Sequence, residues 1–272
     1  MKKSDYSLRH AGRDPASRGL KSWNHDGFRV CHPGPDHLRG DGFRAGMTKS
    51  KNRTMKKVWI LGAGKFGQIA AEALRRKHAE AEITMVEKSS AACRQLANIN
   101  NQIICRDGIE FLNKNLKNAT EPDWIVPVIP VHVAFEWIKT KIPAEFRLEK
   151  ITVPGQLIKA MPNPCQGKNR TLYVSYADFI CPDNCPQPKN KCTFTGKPRP
   201  ANLYEILGSL SSKGVESIVV RSWQLSPGVG GYKPRELFRA LEKVLASKKP
   251  VALSTACSCH GVIDAFKIMP RQ

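Results

Sequence analysis

Three glycines and one acidic residue have the spacing of a site that holds the phosphates and ribose of a dinucleotide. Gly62, Gly64 and Gly67 follow the apolar run 58–61, and Glu87 ends the next apolar run, twenty positions after the last glycine. Glycines let the chain turn tightly and approach a pyrophosphate closely, and the amides that begin the following helix attract negative charge. The pattern predicts a dinucleotide site formed by Gly62, Ala63, Gly64, Lys65, Phe66, Gly67 and Glu87.

The acidic residue also bears on which dinucleotide binds. The Glu87 carboxylate would accept hydrogen bonds from a ribose 2′-hydroxyl and repel a 2′-phosphate, so we expect NAD rather than NADP. The neighbouring Lys88 weakens that preference. Asp107 follows the third expected strand and is a candidate contact to the adenine. His132 follows the fourth strand and is either a catalytic acid or base or a capping histidine.

Four cysteines fall in a segment dense in proline and asparagine, which is too polar to bury much apolar surface. Thiolates bind zinc and iron–sulfur clusters, and a metal would supply the ordering energy that such a loop lacks. Two of the cysteines precede proline, which is typical of ferredoxin-like ligation, although the spacing is irregular. The segment predicts a metal centre, either iron–sulfur or zinc, formed by Cys165, Cys181, Cys185 and Cys192.

The other cysteines allow several interpretations. Cys257, Cys259 and His260 could complete the metal centre, form a separate redox or substrate site, or fill a tight turn. Cys93 and Cys105 are expected in the core. The glycine-rich loop 228–231 could cradle an anion or be a plain turn.

Strands and helices alternate along the chain from residue 55 onward. The amphipathic helix Lys65–Lys77 follows the glycines, and further strand–helix units run to residue 145. A strand over Glu216–Arg221, a helix over 235–246 and a strand over 250–255 form a second crossover unit. We therefore predict an α/β protein, with a Rossmann-like parallel sheet in residues 55–145 and a smaller cysteine-containing α/β region in residues 146–272.

The pattern of residues 55–142 resembles the NAD-binding domain of the regulatory subunits of bacterial potassium-uptake systems and the N-terminal domains of several dehydrogenases. The resemblance is carried by Gly62, Gly64, Gly67 and Glu87. It implies NAD binding, with either hydride transfer or a regulatory role. The potassium regulators continue into a second ligand-binding domain, whereas this chain continues into the cysteine-rich region.

Residues 1–54 differ from the rest in composition and carry no helical or strand periodicity. They resemble the translation of a dispersed bacterial intergenic repeat, so we expect a disordered or spurious extension, with translation starting at Met55 or Met47. The alternative is a basic arm that binds nucleic acid. The net charge of +21 is scattered along the chain rather than clustered, which argues against nucleic acid as a partner.

Two functions from different classes remain open. One is an NAD(P)-dependent oxidoreductase with a cysteine-ligated metal centre, and the other is a non-catalytic NAD or redox sensor. The sequence has no apolar run long enough to span a bilayer and no secretory signal, so a cytoplasmic protein is expected. A homodimer is common among such sheets. The pattern does not identify a substrate.

Overall fold

The computed structural model describes residues 55–97, 102–187, 190–211 and 214–271. The expectations for residues 1–54, including the alternative start at Met47 and the basic arm, lie outside the described residues.

Four parallel strands form the first sheet, in the order β3-β2-β1-β4. After Lys57, its strand β1 consists of apolar residues, and residues 58–61 are at most 7% exposed. The order reverses between β1 and β4, and in sheets of this class ligands bind in the crevice at the carboxyl ends of the strands at that position. The α/β class and the Rossmann-like sheet are confirmed. The strands are β1 (Lys57–Leu61), β2 (Glu82–Glu87), β3 (Gln102–Cys105) and β4 (Trp124–Pro127), and the helices are α1 (Lys65–Lys77), α2 (Ser90–Leu96), α3 (Gly108–Asn115) and α4 (Val133–Lys139).

The second sheet has six strands, ordered β6-β7-β12-β11-β8, with β5 also paired to β12. Strands β8 and β11 run parallel to each other, and β12 is antiparallel to its neighbours. The predicted crossover unit is present as β8, α7 and β11. The strands are β5 (Phe146–Ile151), β6 (Cys165–Gln166), β7 (Leu172–Ser175), β8 (Glu216–Arg221), β9 (Trp223–Ser226), β10 (Val229–Gly231), β11 (Val251–Ala256) and β12 (His260–Pro270), where β9 and β10 form a separate hairpin; the helices are α5 (Gly155–Lys159), α6 (Leu203–Ser209) and α7 (Pro234–Ala246), with a 3-10 turn over Lys168–Arg170.

One apolar core is shared by the two sheets. Leu61 of β1 and Phe266 of β12 belong to the same buried cluster, together with Trp137 of α4 and Leu237 of α7. The rings of Trp137 and Phe238 meet edge to face with centroids 5.4 Å apart. The expected regions 55–145 and 146–272 follow the two sheets, but this core packs them as one unit.

The hairpin of β9 and β10 extends the first sheet. Tyr232 exchanges two backbone hydrogen bonds with Ile125 of β4, with N···O distances of 2.9 and 3.0 Å. The glycine-rich loop 228–231 is the turn and second strand of this hairpin. Gly228 has φ +73°, and a Cβ there would overlap the carbonyl oxygen of Asp183. This glycine therefore lets the hairpin lie against the segment between β7 and α6, residues 176–202, which we call the cysteine loop.

Cys93 and Cys105 form a disulfide, with their Cα atoms 5.9 Å apart. The prediction that both lie in the core is confirmed for Cys93 and wrong for Cys105, and the disulfide was not predicted. Helix α2 lies beside the edge strand β3, so the two cysteines come within the separation that a disulfide requires. Cys93 is buried, whereas Cys105 is exposed at the end of its strand.

Within the residues that the structure describes, the helices are all too short or too polar to cross a lipid bilayer.

Candidate functional site

The turn between β1 and α1, residues 62–67, has the geometry that its glycines predict. Gly62 adopts φ +107°, which disfavours any side chain, and its N–H donates to the Val86 carbonyl at 2.7 Å. A Cβ at Gly67 would collide with the Gly62 carbonyl oxygen, so the helix can approach the turn only without one. Gly64 is different, because nothing lies within 4 Å of the position that its Cβ would take. The structure therefore leaves open space beside the middle glycine, where a pyrophosphate would approach.

Glu87 faces the same turn from the end of β2. One carboxylate oxygen accepts the N–H of Ala63 at 3.0 Å, and the other accepts the N–H of Ser89 at 2.9 Å. A carboxylate oxygen has two lone pairs, so each can accept one further hydrogen bond. The half-buried side chain is thus fixed in orientation and retains acceptors for ribose hydroxyls.

Helix α1 presents its amino end to this space. Its cap is Gly64, which offers no side-chain hydrogen bond, and its first turn contains no acidic residue. The end of the helix therefore keeps its partial positive charge. Lys65 extends from the first turn and forms an ion pair with Asp183 of the cysteine loop at 2.9 Å. The two predicted sites of the sequence thus meet at one contact.

Asp107 has a structural role at the amino end of α3. Its Oδ1 accepts the N–H groups of Ile109 and Glu110 at 2.8 and 3.1 Å, which is the pattern of a helix cap. A contact to adenine remains a prediction.

His132 lies buried between the two sheets rather than at an exposed helix end. Its Nδ1 is 2.8 Å from a carboxylate oxygen of Asp264 on β12, and its Nε2 is 2.9 Å from the hydroxyl oxygen of Thr255 on β11. Asp264 also accepts hydrogen bonds from Lys150 and Thr171. With both ring nitrogens engaged, His132 connects the sheets.

The buried carboxyl of Asp264 is held in its charged form by these partners. Burial alone would raise its pKa. The hydrogen bond and charge of His132 and the hydrogen bonds from Lys150 and Thr171 outweigh burial and lower the pKa to about 2. This network shows no spacing signal in the sequence, because its members come from three separate strands, a helix cap and the end of the 3-10 turn.

The turn between β11 and β12 brings three potentially reactive side chains together with one from the cysteine loop. We call Cys181, Cys257, Cys259 and His260 the thiol cluster. The sulfur of Cys257 lies 3.8 Å from Nδ1 of His260, and the sulfur of Cys181 lies 3.5 Å from its Nε2. Arg199 donates to the sulfur of Cys259 at 2.9 Å. These contacts argue against simple space filling. A shared metal centre and a separate redox or substrate site both remain predictions, because Cys181 of the predicted metal set contacts His260.

The cluster favours a thiolate beside a protonated imidazole. Burial would raise the pKa of Cys257, but the hydrogen bond and charge of His260 and the N–H groups of residues 259 and 260 lower it to about 7. Desolvation opposes the charge on His260, yet its hydrogen bonds to Cys181 and Cys257 raise its pKa well above the ordinary value. Cys259 differs, because burial and the nearby charge of Cys257 raise its pKa. Cys257 is therefore the thiol that ionises near neutral pH.

The four cysteines predicted to bind metal have separate surroundings. Cys165 pairs with Tyr173 across β6 and β7, and Cys181 contacts His260. Cys185 lies 3.7 Å from the hydroxyl of Thr193, and the hydrogen bonds of Thr195 help to lower the pKa of Cys192 against the effect of burial. Across residues 55–97, 102–187, 190–211 and 214–271, no three His, Cys, Asp or Glu side chains are arranged to hold a metal ion. The four-cysteine centre remains a prediction.

Comparison with known proteins identifies a family but no activity. A protein of Archaeoglobus fulgidus described as "Uncharacterized protein" is 27% identical over 217 residues, which cover 76% of this chain and 98% of that protein. Residues 134–269 match the family AF_1314_C, described as "Uncharacterized protein, C-terminal domain". The matched segment spans half of the chain and includes the cysteine loop, the thiol cluster and Asp264. The chain therefore belongs to the AF_1314_C family.

Proposed function

We propose that this protein binds NAD, in preference to NADP, at the turn of residues 62–67 and acts as an oxidoreductase whose thiol cluster lies at the reacting end of the cofactor. The observation that carries the proposal is the pairing of an open amide turn at Gly64 with the fixed carboxylate of Glu87. A bound dinucleotide would supply hydride transfer. The protein would supply binding, orientation and the charge of Cys257.

Contacts between the sheets support a single site. His132, directly before α4, contacts Thr255 at the carboxyl end of β11. Cys257 follows Thr255 by two residues, so their Cα atoms lie within about 7.6 Å. Lys65 at the other side of the crevice contacts the cysteine loop. The strand ends where a dinucleotide would bind are thus tied to the segments that carry the thiols.

Within this proposal, Cys257 reacts with the substrate as a thiolate, and His260 holds the proton that the thiol releases. The pKa of Cys257, about 7, provides the ionised sulfur at neutral pH. A metal centre of iron–sulfur or zinc type at Cys165, Cys181, Cys185 and Cys192 is a separate proposal, because no three potential ligands converge among the described residues. Metal analysis of anaerobically purified protein tests that part separately. A cytoplasmic location would suit an NAD-dependent reaction. Solution scattering would measure the molecular mass and so test whether the protein is a homodimer.

A pair of glycine variants tests the binding proposal. Gly64→Val adds a branched side chain to the open space where the pyrophosphate would lie, with no protein atom within 4 Å of its Cβ. Gly155→Val is the matched control, because its Cβ also meets nothing within 4 Å, at the start of α5. We expect Gly64→Val to weaken NADH binding by more than about tenfold, which corresponds to about 1.4 kcal/mol.

The control variant should bind NADH as the wild type does. Fluorescence titration measures the NADH dissociation constant of all three proteins. Equal affinity of the wild type and Gly64→Val, or no saturable binding to the wild type, would overturn the proposal.

One observation favours the sensor as a second candidate. The ion pair between Lys65 and Asp183 couples the first turn of α1 to the cysteine loop. A pyrophosphate at the turn would compete with Asp183 for the lysine and so loosen that loop. Dinucleotide binding would then change thiol reactivity without any catalysis.

A further inference from the structure

We propose that Arg221 binds the carboxylate or phosphate group of a ligand whose reacting part lies at Cys257. The proposal deepens the proposed function by giving the substrate a chemical class. It rests on the thiol chemistry of that function, but it does not require dinucleotide binding.

Arg221 is held between two aromatic rings at the carboxyl end of β8. Its guanidinium carbon lies 4.0 Å from the ring centroid of Tyr204 on α6 and 3.4 Å from that of Trp223 on β9. Such stacking fixes the plane of the guanidinium and occupies its faces, while its N–H groups point outward within that plane. Arg221 is therefore oriented to donate to a planar or tetrahedral oxyanion at its edge.

One nitrogen at the polar edge of this guanidinium lacks a protein acceptor. Its Nε is buried without a hydrogen-bond partner among the described residues. Among the described residues, no Asp or Glu forms an ion pair with Arg221. Eight ion pairs join other basic side chains to Asp or Glu. A buried donor without an acceptor costs free energy, and a charged donor costs more. An anionic ligand would remove that cost.

The sheet register places the backbone of Arg221 beside the turn that carries most of the thiol cluster. Arg221 pairs with Ala256 across β8 and β11, and Cys257 is the next residue. The N–H of Ser222 donates to the Ala256 carbonyl at 2.8 Å, so the backbones are still adjacent where both strands end. Leu203, at the start of α6, donates to the carbonyl of Ser258 at 3.0 Å, which sets the helix that carries Tyr204 beside the same turn.

The charge around this edge is positive. Arg199 contacts Cys259, and its charge also acts on Tyr204 together with that of Arg221. Trp223 remains 39% exposed, so one side of the stack is open to solvent. A stacked arginine, a second cation and a thiolate form a site for a small molecule that carries an anionic group beside an electrophilic carbon.

Two alkylating agents of similar size test the proposal. Iodoacetate carries a carboxylate and iodoacetamide is neutral. With either agent, the Cys257 thiolate forms a bond to the methylene carbon, the carbon–iodine bond breaks and iodide leaves. Mass spectrometry measures the rate at Cys257 with each agent. We expect Arg221→Gln to lower the iodoacetate-to-iodoacetamide rate ratio by about tenfold, because one charge-assisted hydrogen bond is lost.

The matched control is Arg239→Gln, which removes the same charge from an exposed position on α7. Its rate ratio should equal that of the wild type. A ratio that stays unchanged in Arg221→Gln, or that falls equally in both variants, would overturn the proposal.

A competition on the unaltered protein covers the case in which Arg221→Gln fails to fold. Inorganic phosphate or acetate should slow alkylation of wild-type Cys257 by iodoacetate, relative to chloride at equal ionic strength. Stronger protection by phosphate would indicate a phosphorylated ligand, and stronger protection by acetate a carboxylic acid. Protection by neither anion would refute an oxyanion site. Because no dinucleotide is added, the outcome is separate from the NAD-binding test.

Discussion

Glu87 is the residue on which cofactor choice depends. Its two carboxylate oxygens are oriented by the N–H groups of Ala63 and Ser89. Glu87→Gln keeps a similar shape and one acceptor, but it removes the negative charge that repels a 2′-phosphate. We expect the ratio of NADP to NAD affinity to rise by about tenfold, since a single charge at short range contributes on the order of 1 kcal/mol in a partly exposed site. Calorimetric titration with both dinucleotides measures the ratio, and an unchanged ratio would contradict the assigned role.

Cys257 should determine the pH dependence of thiol reactivity. Its pKa of about 7 lies below the ordinary value of 9.0, so the thiolate is present above about pH 7 and is lost as the pH falls through that value. The rate of Cys257 alkylation by iodoacetamide should therefore reach half its maximum near pH 7. His260→Asn removes the imidazolium and should move this midpoint toward 9.

Cys259 provides an internal control within the same turn. Its raised pKa predicts that it reacts only at higher pH than Cys257. A wild-type midpoint near 9 at Cys257, or the reverse order of the two cysteines, would contradict the account of the thiol cluster.

At the scale of elements, β12 is the strand that connects the two sheets through Asp264. The pKa of this carboxyl falls from 3.8 to about 2, so its stabilising effect is fully present above pH 3.8 and is lost as the pH falls toward 2. The shift corresponds to roughly 2 kcal/mol. Asp264→Asn leaves Lys150 and His132 without their carboxylate, and we expect it to destabilise the fold at neutral pH by about 3 kcal/mol.

Urea unfolding at pH 7 and at low pH measures both effects. The difference between the wild type and Asp264→Asn should shrink as the pH falls toward 2. Glu242→Gln, at an exposed position of α7, is the control and should behave as the wild type at both pH values. Stability of Asp264→Asn equal to the wild type at pH 7 would show that the network does not hold the sheets together.

Elements that depend on local signals could be predicted from the sequence, whereas contacts between distant parts of the chain could not. The predicted bounds of α1 match the structure, because amphipathic spacing and the glycine that begins the helix are local signals. The long strand β12 and the pairing of Tyr232 with Ile125 were not predicted, because such contacts form between distant parts of the chain. The glycine turn was predictable from spacing, whereas Asp264, Arg199 and Arg221 carry no motif.

At the scale of the whole molecule, the coupling between the two sites is testable through the cysteine loop. The ion pair of Lys65 and Asp183 is partly exposed, so it adds little to stability. Asp183→Asn should therefore leave the melting temperature close to the wild-type value. It should raise NAD affinity by no more than a few-fold, because the pyrophosphate no longer competes with Asp183 for Lys65. In the wild type, NAD should draw Lys65 away and raise the alkylation rate of Cys181 several-fold, and the variant should lack that response.

An NAD response of equal size in both proteins would show that the ion pair does not transmit binding. If NAD binds but changes the alkylation rate of Cys181 in neither protein, the oxidoreductase is the better supported of the two functions.

The central claim is that a dinucleotide rests against the amides between β1 and α1. A crystal structure of the protein with NAD tests this most directly. We predict electron density for the pyrophosphate beside Gly64 and for a ribose at Glu87. Density for NAD at any other surface would contradict the account. So would a crystal with saturating NAD that shows no density at this turn.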